Sequence, residues 1–140
     1  LNPLLGVVYD FNHDDLYYGH QQSKAYLNQE EISVSNLSSK FESTLVTGIP
    51  AKQNYTDKEF KDMIIDFQEW KKIRMIGSAA MASVYVASGK AETYKENGIF
   101  LWDIAAGAAI VNAAGGLTSI ENLQPDFRVD AKFTNSNLGL

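Results

Sequence analysis

The run LWDIAAGAAIVNAAGG, Leu101 to Gly116, limits what this 140-residue chain can fold into more than any other stretch. Its pattern predicts a helix over 101–114. The small side chains of Ala105, Ala106, Gly107, Ala108 and Ala109 let that helix lie close against a neighbouring backbone. Gly115 and Gly116 supply the left-handed turn that ends it. One acid, Asp103, stands in the first turn, where the positive end of the helix dipole favours a carboxylate. An aspartate so placed either caps the helix or is offered to a metal.

The elements around this helix alternate in type. Short apolar-aromatic runs at Leu4 to Tyr9, Leu16 to Gly19, Ala25 to Leu27 and Ile32 to Val34 are separated by turn residues, the pattern of an antiparallel meander. STLVT, Ser43 to Thr47, reads as a further strand stopped by Gly48-Ile49-Pro50. Thr56 with Glu59 three residues later makes a capping box. Phe60, Met63, Ile64, Phe67 and Trp70 then share one helical face, a stripe for the core or for an interface. A strand is expected near Ile73 to Ile76, a helix over 79–88 closed by Gly89, a strand at Glu92 to Lys95, and two last strands near 117–120 and 128–133. The expectation is one α/β domain over 1–140, strand-rich first and layered afterwards.

Charge and composition remove several function classes. A net charge of −5 without a Lys/Arg cluster offers no basic groove for a nucleic-acid backbone. No apolar run approaches the roughly 18 to 20 residues that cross a bilayer. The absence of cysteine rules out disulfides, thiolate zinc sites and cysteine nucleophiles, and fits a cytoplasmic protein. His13 and His20 lack the company of a zinc site and read as surface residues; Asp14-Asp15 reads as a hairpin turn. Sequons at Asn36 and Asn54 are short enough to arise by chance. If a phosphate is bound here, a metal is expected to mediate.

Tryptophan then aspartate, a run of small residues, Ile110-Val111 and a double glycine together resemble the C-terminal signature of the inositol monophosphatase family. IRMIGSAA (Ile73 to Ala80), YVASGKAETY (Tyr85 to Tyr94), KENGIFLWD (Lys95 to Asp103) and the opening LLGVVYD (Leu4 to Asp10) follow the family's order and spacing. The resemblance implies an inositol monophosphatase/fructose-1,6-bisphosphatase-like αβαβα sandwich, of which this chain is the C-terminal part. It implies Asp103 as a ligand of catalytic Mg2+, with lithium as an inhibitor. It further implies Gly77, Ser78 and Ala79 as a helix start lining the substrate pocket, and Glu96 as a carboxylate that binds substrate hydroxyls. Gly48 lies where the family passes backbone close to the substrate, but is read here as a simple turn. Asp130 and Glu121 stand too far along the chain for their spacing to link them to Asp103.

The family's other metal ligands lie in an N-terminal glutamate-rich segment and a DP-[IL]-DGT motif, and this sequence contains neither. Magnesium takes several oxygen ligands, never one aspartate alone. The chain also begins Leu1-Asn2-Pro3-Leu4, without methionine. The expectation is therefore a piece of a longer polypeptide, poor at binding magnesium alone and nearly inactive. Its partners would be a small phosphorylated metabolite, the missing N-terminal half of the same fold and, as is common in the family, a second copy in a homodimer. The complete protein is expected to hydrolyse a small polyol phosphate such as inositol-1-phosphate. The alternatives within the family are bisphosphate nucleotidases, fructose-1,6-bisphosphatases and histidinol-phosphate phosphatases. From another class, the alternative is a non-catalytic interaction half-domain.

Overall fold

Alternation along the opening strand sorts its side chains onto two faces. In β1 (Leu5–Asp10), Gly6 and Val8 are buried while Leu5, Val7 and Tyr9 are exposed. The computed structural model, which describes residues 2–51 and 54–140, pairs β1 with β2 (Asp15–His20), β2 with β3 (Ala25–Leu27) and β3 with β4 (Glu30–Ile32), all antiparallel. This is the expected meander. The fourth strand comes earlier than Ile32 to Val34, because Asn28, at φ 56°, turns the chain at once and pairs Leu27 with Glu30. The Val34 N–H instead donates to Ala114 O at 3.1 Å.

The second sheet runs β6-β5-β7-β9-β8 and is mixed. Its strands are β5 (Thr44–Thr47), β6 (Lys72–Met75), β7 (Thr93–Phe100), β8 (Leu117–Glu121) and β9 (Arg128–Thr134). β5 is parallel to both β6 and β7, whereas β9 is antiparallel to β7 and β8. α1 (Asp57–Phe67) links β5 to β6, α2 (Ala79–Ala87) links β6 to β7, and α3 (Leu101–Ala113) follows β7 directly. α2 and α3 pack on each other between the two sheets, and α1 lies on the far side of the second sheet, where Asp66 meets Lys95 of β7 at 3.2 Å. These make four layers of the expected αβαβα sandwich. Among the described residues no helix covers the outer face of the meander.

The small residues of α3 act as expected. An added Cβ at Gly107 would overlap the Ser83 side chain of α2, and one at Gly6 would overlap Ala106 O, so the helix touches both neighbours through bare backbone. Ile104, Ala108, Ile110 and Val111 are buried among Val84, Val86, Tyr94, Val129 and Phe133.

One further expectation is narrowed and one needs correction. The capping box forms: Glu59 N–H donates to Thr56 Oγ1 at 3.3 Å and Thr56 N–H to Glu59 Oε2 at 2.7 Å. Yet α1 buries none of its residues, so its stripe is not core; Ile64 is 52% exposed, and Trp70 lies past the helix end. β7 runs to Phe100, well beyond Lys95, because the turn-forming pair Asn97-Gly98 is absorbed as a bulge.

Candidate functional site

In open α/β sheets ligands bind outside the carboxyl ends of parallel strands, where connections diverge to opposite sides. Here the chain leaves β5 for β6 on one side and returns past β5 to β7 on the other. A pocket of about 500 Å³ opens there. Thr47 and Gly48 from the end of β5, Gly77, Ser78 and Ala79 after β6, Glu96 from β7 and Asp103 from α3 all line it. Each site residue expected from the sequence therefore faces one cavity, although the sequence spreads them over 27 positions.

Gly77 sits at φ +79°, which suits glycine, with open space where a side chain would be. Ser78 is the N-cap of α2, and its Oγ accepts from Met81 N–H at 3.3 Å. The first-turn N–H groups of Ala79 and Ala80 have no carbonyl one turn back, so they remain as donors at the pocket wall. Asp103 is exposed in the first turn of α3, at the third helical position; the N-cap is Phe100. The aspartate is thus not the cap residue.

Glu96 is buried on the core face beside Tyr94, and the bulge that follows brings Ile99 back to that face. Glu96 pairs with Ala131 and Ile99 with Val129, so Asn97 and Gly98 together oppose Asp130. The extra residue returns Ile99 to the face that already carries Tyr94 and Glu96. Gly98, at φ +73°, donates its N–H to Asp130 Oδ1 at 3.0 Å, and Arg128 Nη1 donates to Gly98 O at 2.6 Å. Burial pushes the Glu96 carboxyl above the ordinary carboxylate range; the Tyr94 bond opposes this and the Asp103 charge adds to it. Burial first, then the negative charge of Glu96, raises the Tyr94 hydroxyl, which stays protonated and donates to Glu96 Oε2 at 2.9 Å.

Several residues of the site escape a reading by sequence. Tyr94 stands two residues before Glu96 in a strand, so the period of two places it on the same face; that signal was available. Thr47 Oγ1 donates to Lys95 O at 2.6 Å and ties β5 to β7 at the pocket edge. Asp130, which spacing does not connect to Asp103, holds the bulge that sets Glu96. Gly48 is more than a turn: a Cβ there would stand 2.6 Å from Glu96 Oε2 and 2.8 Å from Oε1. Glu121, by contrast, only accepts from Ser119 Oγ at 2.6 Å on the surface. His13 and His20 are exposed as expected, with His13 Nδ1 2.7 Å from Asp10 Oδ2.

The site does not make a metal centre by itself. Among the described residues no three His, Cys, Asp or Glu side chains converge, and Asp103 alone does not satisfy a Mg2+ ion. Also among the described residues, no helix is long and apolar enough to cross a membrane.

A layered α/β domain with its pocket at the carboxyl ends of β5, β6 and β7 defines the class, and comparison with known proteins defines the family. A model of the inositol monophosphatase family matches residues 2–133, and the chain belongs to that family. It is 36% identical over 124 residues to an inositol-1-monophosphatase of Synechocystis, covering 88% of this chain and 43% of that protein. It is 38% identical over 114 residues to the Nus factor SuhB of Pasteurella multocida, covering 81% of this chain and 43% of that one. The solved inositol monophosphatase of Anabaena superposes with a TM-score of 0.84 at 32% identity, over 98% of this chain and 56% of the other. The chain thus spans under half the length of these two relatives.

Proposed function

We propose that this chain is the substrate-orienting part of a cytoplasmic, magnesium-dependent and lithium-sensitive phosphomonoesterase acting on a small polyol phosphate such as inositol-1-phosphate. The observation that carries the reading is the single pocket onto which Glu96, the Gly77–Ala79 helix start and Asp103 all open. Free N–H groups at a helix start suit phosphate or hydroxyl oxygens, and a buried carboxylate suits hydroxyl donors. A bound Mg2+ would supply charge neutralisation and an activated water. Asp103 would be one of its ligands, the rest coming from sequence beyond these 140 residues. The family relationship and the coverage of under half support that division.

A second reading, an interaction half-domain, draws on the uncovered outer face of the meander, where Leu5, Val7 and Tyr9 are each more than half exposed. Phosphate release from inositol-1-phosphate, measured for the 140 residues alone and for the full reading frame that contains them, separates the two. The enzyme reading predicts magnesium-dependent, lithium-inhibited turnover from the full reading frame and almost none from the 140 residues. Turnover that favours a nucleoside bisphosphate, fructose-1,6-bisphosphate or histidinol phosphate would move the substrate within the family. No turnover from either preparation would leave the interaction reading in its place.

A further inference from the structure

Glu96 is held in a way that a simple acidic wall does not require. Its carboxyl lies flat over the Cα of Gly48, close enough that a methyl group there would meet both oxygens. Oε2 accepts from the Tyr94 hydroxyl, and the Tyr94 ring is itself fully buried. That ring packs edge-on against Phe133, centroids 5.5 Å apart, so the hydroxyl has little freedom. Among the described residues no bond is made to Oε1, yet that oxygen is not shut off as an unsatisfied buried atom. One oxygen is occupied by the protein; the other has no protein partner among the described residues, and Glu96 lines the pocket.

We propose that Tyr94 is a positioning residue for substrate recognition: its hydroxyl, with Gly48 as the bare floor, fixes Glu96 so that Oε1 alone is presented to a substrate hydroxyl. This rests on the phosphatase reading and adds to it the group that sets hydroxyl specificity. A carboxylate free to rotate would share its acceptors between water and substrate. Held by one oxygen, it offers a single acceptor in a fixed direction, which rewards a hydroxyl at one ring position and leaves a substrate without that hydroxyl unrewarded.

The test is Tyr94→Phe in the full reading frame, a change that keeps the ring and its packing on Phe133. KM for inositol-1-phosphate should rise roughly 10-fold, the scale of a lost positioned bond to a charged group, with kcat nearly unchanged. KM for phenyl phosphate, which carries no hydroxyl, should not move. In a Glu96→Gln background, Tyr94→Phe should add nothing. Equal losses on both substrates, or in both backgrounds, would reduce Tyr94 to a packing residue and overturn the proposal. An unchanged KM in Tyr94→Phe beside a raised one in Glu96→Gln would overturn it too, while sparing the phosphatase reading. If wild type shows no turnover, that reading fails first. The carboxyl 13C resonance of Glu96 then decides: it should move in Tyr94→Phe while other glutamates stay, and a resonance that stays put removes the positioning role.

Discussion

Helices α1 and α3 make opposite bargains between local signal and burial. α1 has what a helix needs from its own sequence: a reciprocal capping box, acids in the first turn and a one-sided apolar stripe, yet none of its residues is buried. α3 starts without a side-chain cap, is apolar round most of its circumference and holds a glycine at its centre, yet six of its thirteen residues are buried. A capping box settles where a helix begins, whereas burial depends on what lies beside it. Past its first turn α3 is apolar on most sides because α2 and both sheets pack around it. The stripe of α1 meets the second sheet only in part.

The contrast breaks most sharply at Gly107. Gly107→Ala puts a methyl group into the Ser83 side chain, and the resulting overpacking should cost about 1–3 kcal/mol, read as a lower urea midpoint at unchanged slope. A loss within about 0.5 kcal/mol, the usual surface scale, would mean that the Gly107 backbone is not packed against the Ser83 side chain. In α1, Thr56→Ala removes the cap and should cost about 1 kcal/mol. Ile64→Ser on the same helix should stay within about 0.5 kcal/mol by the same denaturation measurement. A larger loss at Ile64 would show that something covers the stripe in solution.

The smallest effect concerns Glu96 and sharpens the comparison from the side of the site. Its folded pKa lies above the unfolded one, so between the two values the native state holds more protons and stability falls as pH rises. Stability from this group is complete below the unfolded pKa and lost as pH rises through the folded one. Glu96→Gln should therefore be more stable than wild type at pH 7 in metal-free buffer, with the advantage fading below about pH 4. Thermal melts at the two pH values check this; an advantage that grows toward low pH would reverse the sign.

Much of the fold was legible because its signals are local. Hairpin turns, the capping box and the glycines after α2 and α3 each depend on a few neighbouring residues. The candidate site residues were proposed only through the family's motifs, since Gly77, Glu96 and Asp103 are brought to one pocket by the crossovers of the second sheet, and no local spacing encodes them. What stayed hidden is long-range. Asp130 acts through Gly98, 32 residues away, and Gly48 matters because Glu96 arrives from another strand. The exposure of α1 was hidden for the same reason: periodicity identifies an apolar face without telling what will cover it.

The most direct test of the central claim is phosphate release from inositol-1-phosphate by Asp103→Asn in the full reading frame, followed across magnesium concentration. Outer partners of metal ligands cost about 10–100-fold when lost, so a ligand itself should cost at least as much, with partial recovery at high magnesium. Turnover and magnesium dependence equal to wild type would contradict the account, because Asp103 would then stand in the pocket without serving it.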